Sequence, residues 1–114
     1  MKEPSLLIKL VGDAPIFRLL DFLVDNKGSD FTKKDLYVGA NISKATLFKH
    51  WKEFETFGLI NATRKFGNTQ LFTLNTASPI VKKIIEMESV LIRQSLQHES
   101  QKKLKIIQRE AAFT

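Results

Sequence analysis

Six residues between positions 44 and 52 carry the densest chemistry in the chain: Lys44, Ala45, Thr46, Phe48, Lys49 and Lys52. Placed on a helix, Lys44, Ala45, Phe48, Lys49 and Lys52 share one face, with Thr46 at its flank. Leu47, Trp51 and Phe54 share the opposite face. One face can anchor on an apolar body while the other reaches a polyanion. Ammonium groups suit phosphates and guanine edges, and Ala45 is small enough to permit close approach. Phe48 is unusual on such a face; it either meets a thymine methyl or bends back onto the core.

A second basic group follows in Arg64, Lys65, Asn68 and Gln70. Residues 59–65 and 69–74 read as paired strands around Gly67-Asn68, a dipeptide suited to a two-residue hairpin with Gly at its first central position. A basic hairpin tip suits a phosphate backbone or a narrow minor groove that attracts Arg. Thr32 and Lys33, at the start of a short helix, offer backbone N–H groups to a phosphate as well. Leu71 and Phe72 are adjacent, only one is expected to face the core, and the hairpin register stays open.

Catalytic chemistry finds little footing. The chain has no cysteine, which excludes disulfides, thiolate zinc sites and a cysteine nucleophile, and fits a reducing interior. There is no Gly-rich phosphate loop and no Ser/His/Asp spacing, and the carboxylates fall on amphipathic faces or in turns. His50 suits a helix-surface hydrogen bond, and His98 stands alone in a polar stretch. The expectation is a non-enzyme without metal or cofactor. The N-terminus has no signal-peptide layout, and the most apolar run, residues 16–24, carries Arg18 and Asp21 and is too short to span a bilayer. A cytoplasmic location on the nucleoid is the expectation.

The net charge is +6 and the pI about 9.7. Residues 44–70 hold Lys44, Lys49, Lys52, Arg64 and Lys65 against Glu53 and Glu55, a net of +3. Residues 9–35 balance to zero, so the positive charge concentrates on the elements just described.

Those elements need a frame, and 114 residues supply one domain with an appendage. Residues 1–13 form a lead-in whose Leu6, Leu7, Ile8, Leu10 and Val11 must pack on something. A helix follows, with Asp13 as its cap, Ala14 and Pro15 in its first turn, and an end near Gly28. Ser29-Asp30-Phe31 reads as a short extended link, of the kind that in winged helices often pairs with the wing sheet. Thr32 caps a short helix with Asp35 as capping-box partner, Asn41 occupies a turn position needing positive φ, and Ile42 is the apolar turn residue. Ser43 caps the lysine-bearing helix and is counted with Thr46 among its expected DNA contacts; the helix's buried stripe is Leu47, Trp51, Phe54 and Phe57, and Gly58 stops it. From Pro79 the pattern is helical to at least Gln97; if helical over 79–110 it spans about 48 Å. Ile80, Ile84, Met87 and Leu91 share one face, with Val81, Ile85 and Ile92 beside it. That stripe is wider than a small domain needs, so these residues are assigned to dimerisation. The fold class is mainly α with a small β-hairpin, an α+β arrangement. Residues 14–76 are a DNA-binding domain of the winged helix-turn-helix plan, and 77–114 a C-terminal dimerisation helix.

The line Ser43-Lys-Ala-Thr46-Leu47-Phe-Lys-His50-Trp51-Lys-Glu-Phe54-Glu-Thr-Phe-Gly58-Leu59-Ile60 resembles the recognition-helix line of bacterial and archaeal winged-helix transcriptional regulators. Their usual form is Ser-x-x-Thr-Val-x-x-His-Leu-x-x-Leu-x-x-x-Gly-Leu-Val. Val11-Gly12-Asp13-Ala14-Pro15 with Leu19-Leu20-Asp21-Phe22-Leu23 resembles small archaeal members. The resemblance covers about residues 11–92 and does not extend to residues 93–114; Asn41 replaces a usual Gly, and Trp51 and Phe54 are bulkier than usual. It implies sequence-specific binding of double-stranded DNA by a homodimeric transcriptional regulator. Helix 43–57 would lie in the major groove, and the wing 59–74 on the backbone or minor groove. Two alternatives stand beside it. The reading face has no Arg, Asn or Gln between Lys44 and Lys52, which keeps open a nucleoid-associated protein of low specificity. A winged helix can also serve as a protein-interaction module. No residue set points to a small-molecule effector.

Overall fold

The computed structural model describes residues 5–112, the last four as backbone only. Its elements are α1 (Leu6–Val11), α2 (Pro15–Asp25), β1 (Asp30–Phe31), α3 (Lys33–Gly39), α4 (Lys44–Thr56), β2 (Ile60–Phe66), β3 (Thr69–Leu74) and α5 (Pro79–Ala112). The expected α+β class, with helices around a small sheet and a long last helix, is the observed one.

Within the lead-in expected at residues 1–13, of which 1–4 lie outside the described residues, the chain forms α1. Six residues are too few to leave a periodic signature. Ser5 caps the helix, its Oγ accepting the Ile8 N–H at 3.1 Å. Leu7 and Ile8 are buried, and α1 packs against α2 and α5. Asp13 does not cap α2. The N-cap is Ala14, with Pro15 in the first turn, and the Asp13 carboxylate pairs instead with Arg18 one turn into the helix.

Leu19, Leu20, Leu23 and Val24 of α2 form one core cluster with Leu36, Leu47, Trp51, Phe54, Leu59, Leu74 and Val81. The three-stranded antiparallel sheet has the order β1-β3-β2, so the 29–31 link does pair with the hairpin. Ile60 lies opposite Leu74 and Ala62 opposite Phe72, with an irregularity between Ala62 and Lys65. This register resolves the Leu71/Phe72 conflict in an unexpected way. Phe72 turns to the core and meets Trp51 edge-on, with ring centroids 4.7 Å apart. Leu71, on the other face by the period of two, is also buried, at 7% exposure.

Ser78 caps α5, its Oγ accepting the Val81 N–H at 3.3 Å. The helix has 34 residues, about 51 Å at about 1.5 Å per residue. Its first turns belong to the domain. Val81 is 0% exposed, so the expectation that it lies on a dimer surface is corrected: the chain's own core encloses it. Ile84 and Ile85 are half-buried against the same core. Met87 and Leu91 are intermediate, and Ile80 and Ile92 are exposed, as are Leu96, Leu104, Ile106 and Ile107 further along. Among the described residues no helix is long and apolar enough to cross a membrane.

Candidate nucleic-acid interface

Two helices and a hairpin place the basic residues, and local chemistry fixes each junction. Thr32 and Asp35 form the expected capping box: the Thr32 Oγ1 accepts the Asp35 N–H, and the Asp35 carboxylate accepts the Thr32 N–H, both at 3.0 Å. At the other end of α3, Asn41 has φ 55°, the left-handed conformation its position demands. The Ile42 N–H donates to the Tyr37 carbonyl at 3.0 Å and the Asn41 N–H to the Val38 carbonyl at 3.1 Å, which ends the helix and reverses the chain. Arg18 secures this turn from outside. Its Nη1 donates to the Asn41 carbonyl at 3.0 Å while Nη2 donates to Asp13 at 2.6 Å. The hydrogen-bonded pair holds the Asp13 carboxyl below its ordinary value and raises the guanidinium. Gly39 sits in close approach to α2, since a Cβ there would stand 2.4 Å from the Phe22 ring and displace it.

Ser43 caps α4, its Oγ accepting the Thr46 N–H at 3.1 Å and lying 2.7 Å from the Thr46 hydroxyl. Both side chains are thus engaged in building the helix start. Leu47, Trp51 and Phe54 are buried as expected. Phe57 is not: it is the C-cap residue and 56% exposed. Gly58, at φ 66°, turns the chain there, and the Leu59 N–H returns to the Phe54 carbonyl at 3.0 Å. The stripe therefore ends one turn early, with Leu59 filling the core in place of Phe57.

The opposite face of α4 carries Lys44, Ala45, Phe48, Lys49 and Lys52, all exposed. The structure brings Lys33 to that face: its Nζ lies over the rings of Phe48, Trp51 and Phe72. An open cleft runs between the start of α3 and the wing, lined by Thr32, Lys33, Lys34, Asn68, Gln70 and Phe72 among others. His50 is half-buried, and its Nδ1 has no hydrogen bond, the nearest Glu53 oxygen standing at 3.6 Å.

The wing turns at Gly67, φ 58°, between strands ending at Phe66 and resuming at Thr69. Lys65 and Asn68 are exposed at the tip. Arg64 is engaged within the protein. Its Nε donates to the Asp30 Oδ2 at 2.9 Å, Thr63 donates to the same oxygen at 2.8 Å, and the guanidinium lies 4.9 Å from the Phe66 ring centroid. Those hydrogen bonds, Arg64 first, hold the Asp30 carboxyl below its ordinary value. Asp30 is a residue that sequence reasoning missed, and no local signal could have found a partner so distant in the chain. The Phe66 side chain at the tip, 61% exposed, was missed as well. Among the described residues no group of three His, Asp or Glu side chains could hold a metal ion.

A capped helix pair joined by a tight turn, followed by a basic hairpin, defines the fold as a winged helix-turn-helix. No protein-family model and no curated protein sequence matches the chain. Solved structures do. The chain is similar to the MepR–DNA complex of Staphylococcus aureus, with a TM-score of 0.61 and 15% identity over 96% of this chain and 86% of that one. It is similar to the antimony-specific transcriptional repressor AntR, with a TM-score of 0.55 and 20% identity over 80% and 78%. It is also similar to Sso10a-2, a DNA-binding protein from Sulfolobus solfataricus, with a TM-score of 0.50 and 16% identity over 78% and 92%. At these identities the likeness is one of fold.

Proposed function

We propose that this protein is a transcriptional regulator that binds double-stranded DNA sequence-specifically as a homodimer, in the cytoplasm. The observation that carries the reading is the two-sidedness of α4. Leu47, Trp51 and Phe54 are buried, while Lys44, Ala45, Phe48, Lys49 and Lys52 stand exposed on the opposite side, beside a basic wing. The same fold has been solved on DNA in MepR. In this reading α4 enters the major groove, and Lys65 and Asn68 follow the backbone or adjacent minor groove. The dimer forms through the exposed apolar positions of α5, Ile80 and Ile92 with the half-buried Met87 and Leu91. Ile84 and Ile85 contribute what their core contacts leave open. Two copies would then read half-sites about 10 bp apart or a multiple of it.

A second reading is a nucleoid-associated protein of low sequence preference. Its support is the lysine-rich reading face, with no Arg, Asn or Gln between Lys44 and Lys52, and the likeness to Sso10a-2. One experiment separates the two: selection from a random duplex library, with binding titrated against salt. Enrichment of one palindrome supports the regulator. Salt-sensitive binding without enrichment supports the nucleoid-associated protein. No binding at low salt removes both and leaves a protein-interaction module.

A further inference from the structure

We infer that Lys33 serves DNA binding as a positioning residue for Phe48, and not as a phosphate contact; this rests on the DNA-binding reading above. The Lys33 Nζ lies 4.8 Å from the Trp51 ring centroid, 5.1 Å from Phe48 and 5.8 Å from Phe72. All three distances fall within the roughly 6 Å over which a ring quadrupole attracts a cation. The partners differ in freedom. Trp51 is buried and meets Phe72 edge-on at 4.7 Å, so these two rings form a fixed wall on the core. Phe48 is 49% exposed on the reading face. Lys33, itself half-buried, bridges the wall and the exposed ring. The Lys44 Nζ approaches the same Phe48 ring at 5.8 Å, so cations from the start of α3 and the start of α4 both bear on it.

The physical consequence is a restricted Phe48 rotamer. An exposed Phe on a helix exchanges between staggered χ1 wells at little cost. A ring attracted to an ammonium that is itself held by Trp51 and Phe72 stays in one of them. A fixed apolar ring on a reading helix has one use that a lysine lacks, contact with a thymine methyl. Lys33 thereby contributes to base discrimination through Phe48. Its ammonium, facing rings, adds little to counterion release, which depends on cations that neutralise phosphates.

The test uses the full chain, a duplex library and the variants Lys33→Met, Lys33→Arg and Phe48→Leu. Lys33→Met keeps the stem and removes the charge; Lys33→Arg keeps a cation that binds ring faces. Lys33→Met is expected to weaken binding to the preferred duplex about three-fold, flatten selection at one base pair, and leave the slope of log K against log salt unchanged. Lys33→Arg should restore both affinity and selection. In the Phe48→Leu background Lys33→Met should have little further effect, since coupled residues are non-additive. A slope shallower by about 0.9 in Lys33→Met identifies a phosphate contact and overturns the inference, as does full additivity with Phe48→Leu. Trp51 is the only tryptophan, so its emission reads the cage without DNA: it should shift in Lys33→Met and not in Lys33→Arg. Absence of that shift also overturns the inference. If the unsubstituted chain binds no duplex at low salt, the DNA-binding reading has failed and the inference falls with it.

Discussion

Arg64 and Asp30 stand 34 positions apart in the chain and meet through two hydrogen bonds, Nε to Oδ2 at 2.9 Å and Nη2 to Oδ1 at 3.3 Å. The wing arginine that the sequence offers to a minor groove is held against the sheet by the carboxylate of β1. Asp30→Asn should therefore release it. The expected result is tighter, less selective DNA binding, with a salt slope steeper by about 0.9, the contribution of one added phosphate contact. An unchanged slope would mean that Arg64 stays on the protein without its partner.

The same pair sets a pH dependence. The folded Asp30 carboxyl is held below 3.8 by Arg64 and Thr63, so its stabilising effect is fully present above the unfolded value and is lost as pH falls through the folded one. A carboxyl-carbon NMR titration should find the Asp30 midpoint below 3.8 in the native chain and moved upward in Arg64→Gln. A midpoint at the ordinary value in both proteins would show that the pair does not persist in solution.

Glu88 carries the opposite sign. Burial first, then the charges of Asp25 and Asp21, raise its carboxyl above 4.5. The folded state then binds the proton more tightly than the unfolded chain, so this contribution favours folding at low pH and declines as pH rises through the folded value. Glu88→Gln should raise Tm at pH 7 by about 2–3 °C, because a neutral amide is less costly to bury and meets no like charge from Asp25 and Asp21, and have little effect at pH 4. Calorimetry at the two pH values checks this; an equal shift at both would point to packing in place of charge.

Gly39→Ala reads the contact between α3 and α2. Ala is intrinsically better in a helix by about 1 kcal/mol, but its Cβ would stand 2.4 Å from a Phe22 ring that already packs on Phe31 at 5.1 Å. Overpacking should win, destabilising by about 1–3 kcal/mol in chemical denaturation. Phe22→Leu combined with Gly39→Ala should recover part of that loss. Stabilisation by Gly39→Ala alone would show that Phe22 moves aside freely.

Lys49 and Lys52 are exposed on the face of α4 that is proposed to read DNA. Lys49→Ala should lower DNA affinity and make the salt slope shallower by about 0.9, as loss of one phosphate contact does. Binding unchanged at fixed salt would remove this face as the reader.

Ile92 is 45% exposed, so Ile92→Glu should keep the helical circular-dichroism signature of the folded chain while weakening self-association at least ten-fold in sedimentation equilibrium. A dimer of undiminished strength would place the interface elsewhere on the chain.

What the sequence by itself determined lies within a few residues of each signal. Thr32 and Ser43 as caps, Asn41 and Gly58 as left-handed stops, Gly67 at the hairpin and the Leu47–Trp51–Phe54 stripe all depend on one turn of backbone. Hydrogen-bond geometry over such short spans leaves the chain few alternatives, so residue type is enough. Tertiary structure alone decided the rest. It seated Phe72 on Trp51 while also covering Leu71, folded Val81 into the domain, set Lys33 among aromatic rings and drew Arg64 onto Asp30. It also left Phe57 outside, because the turn at Gly58 brings Leu59 into the core first. Each of these outcomes depends on which elements reach a shared space, and a periodic pattern along one element carries no information about what will stand opposite it.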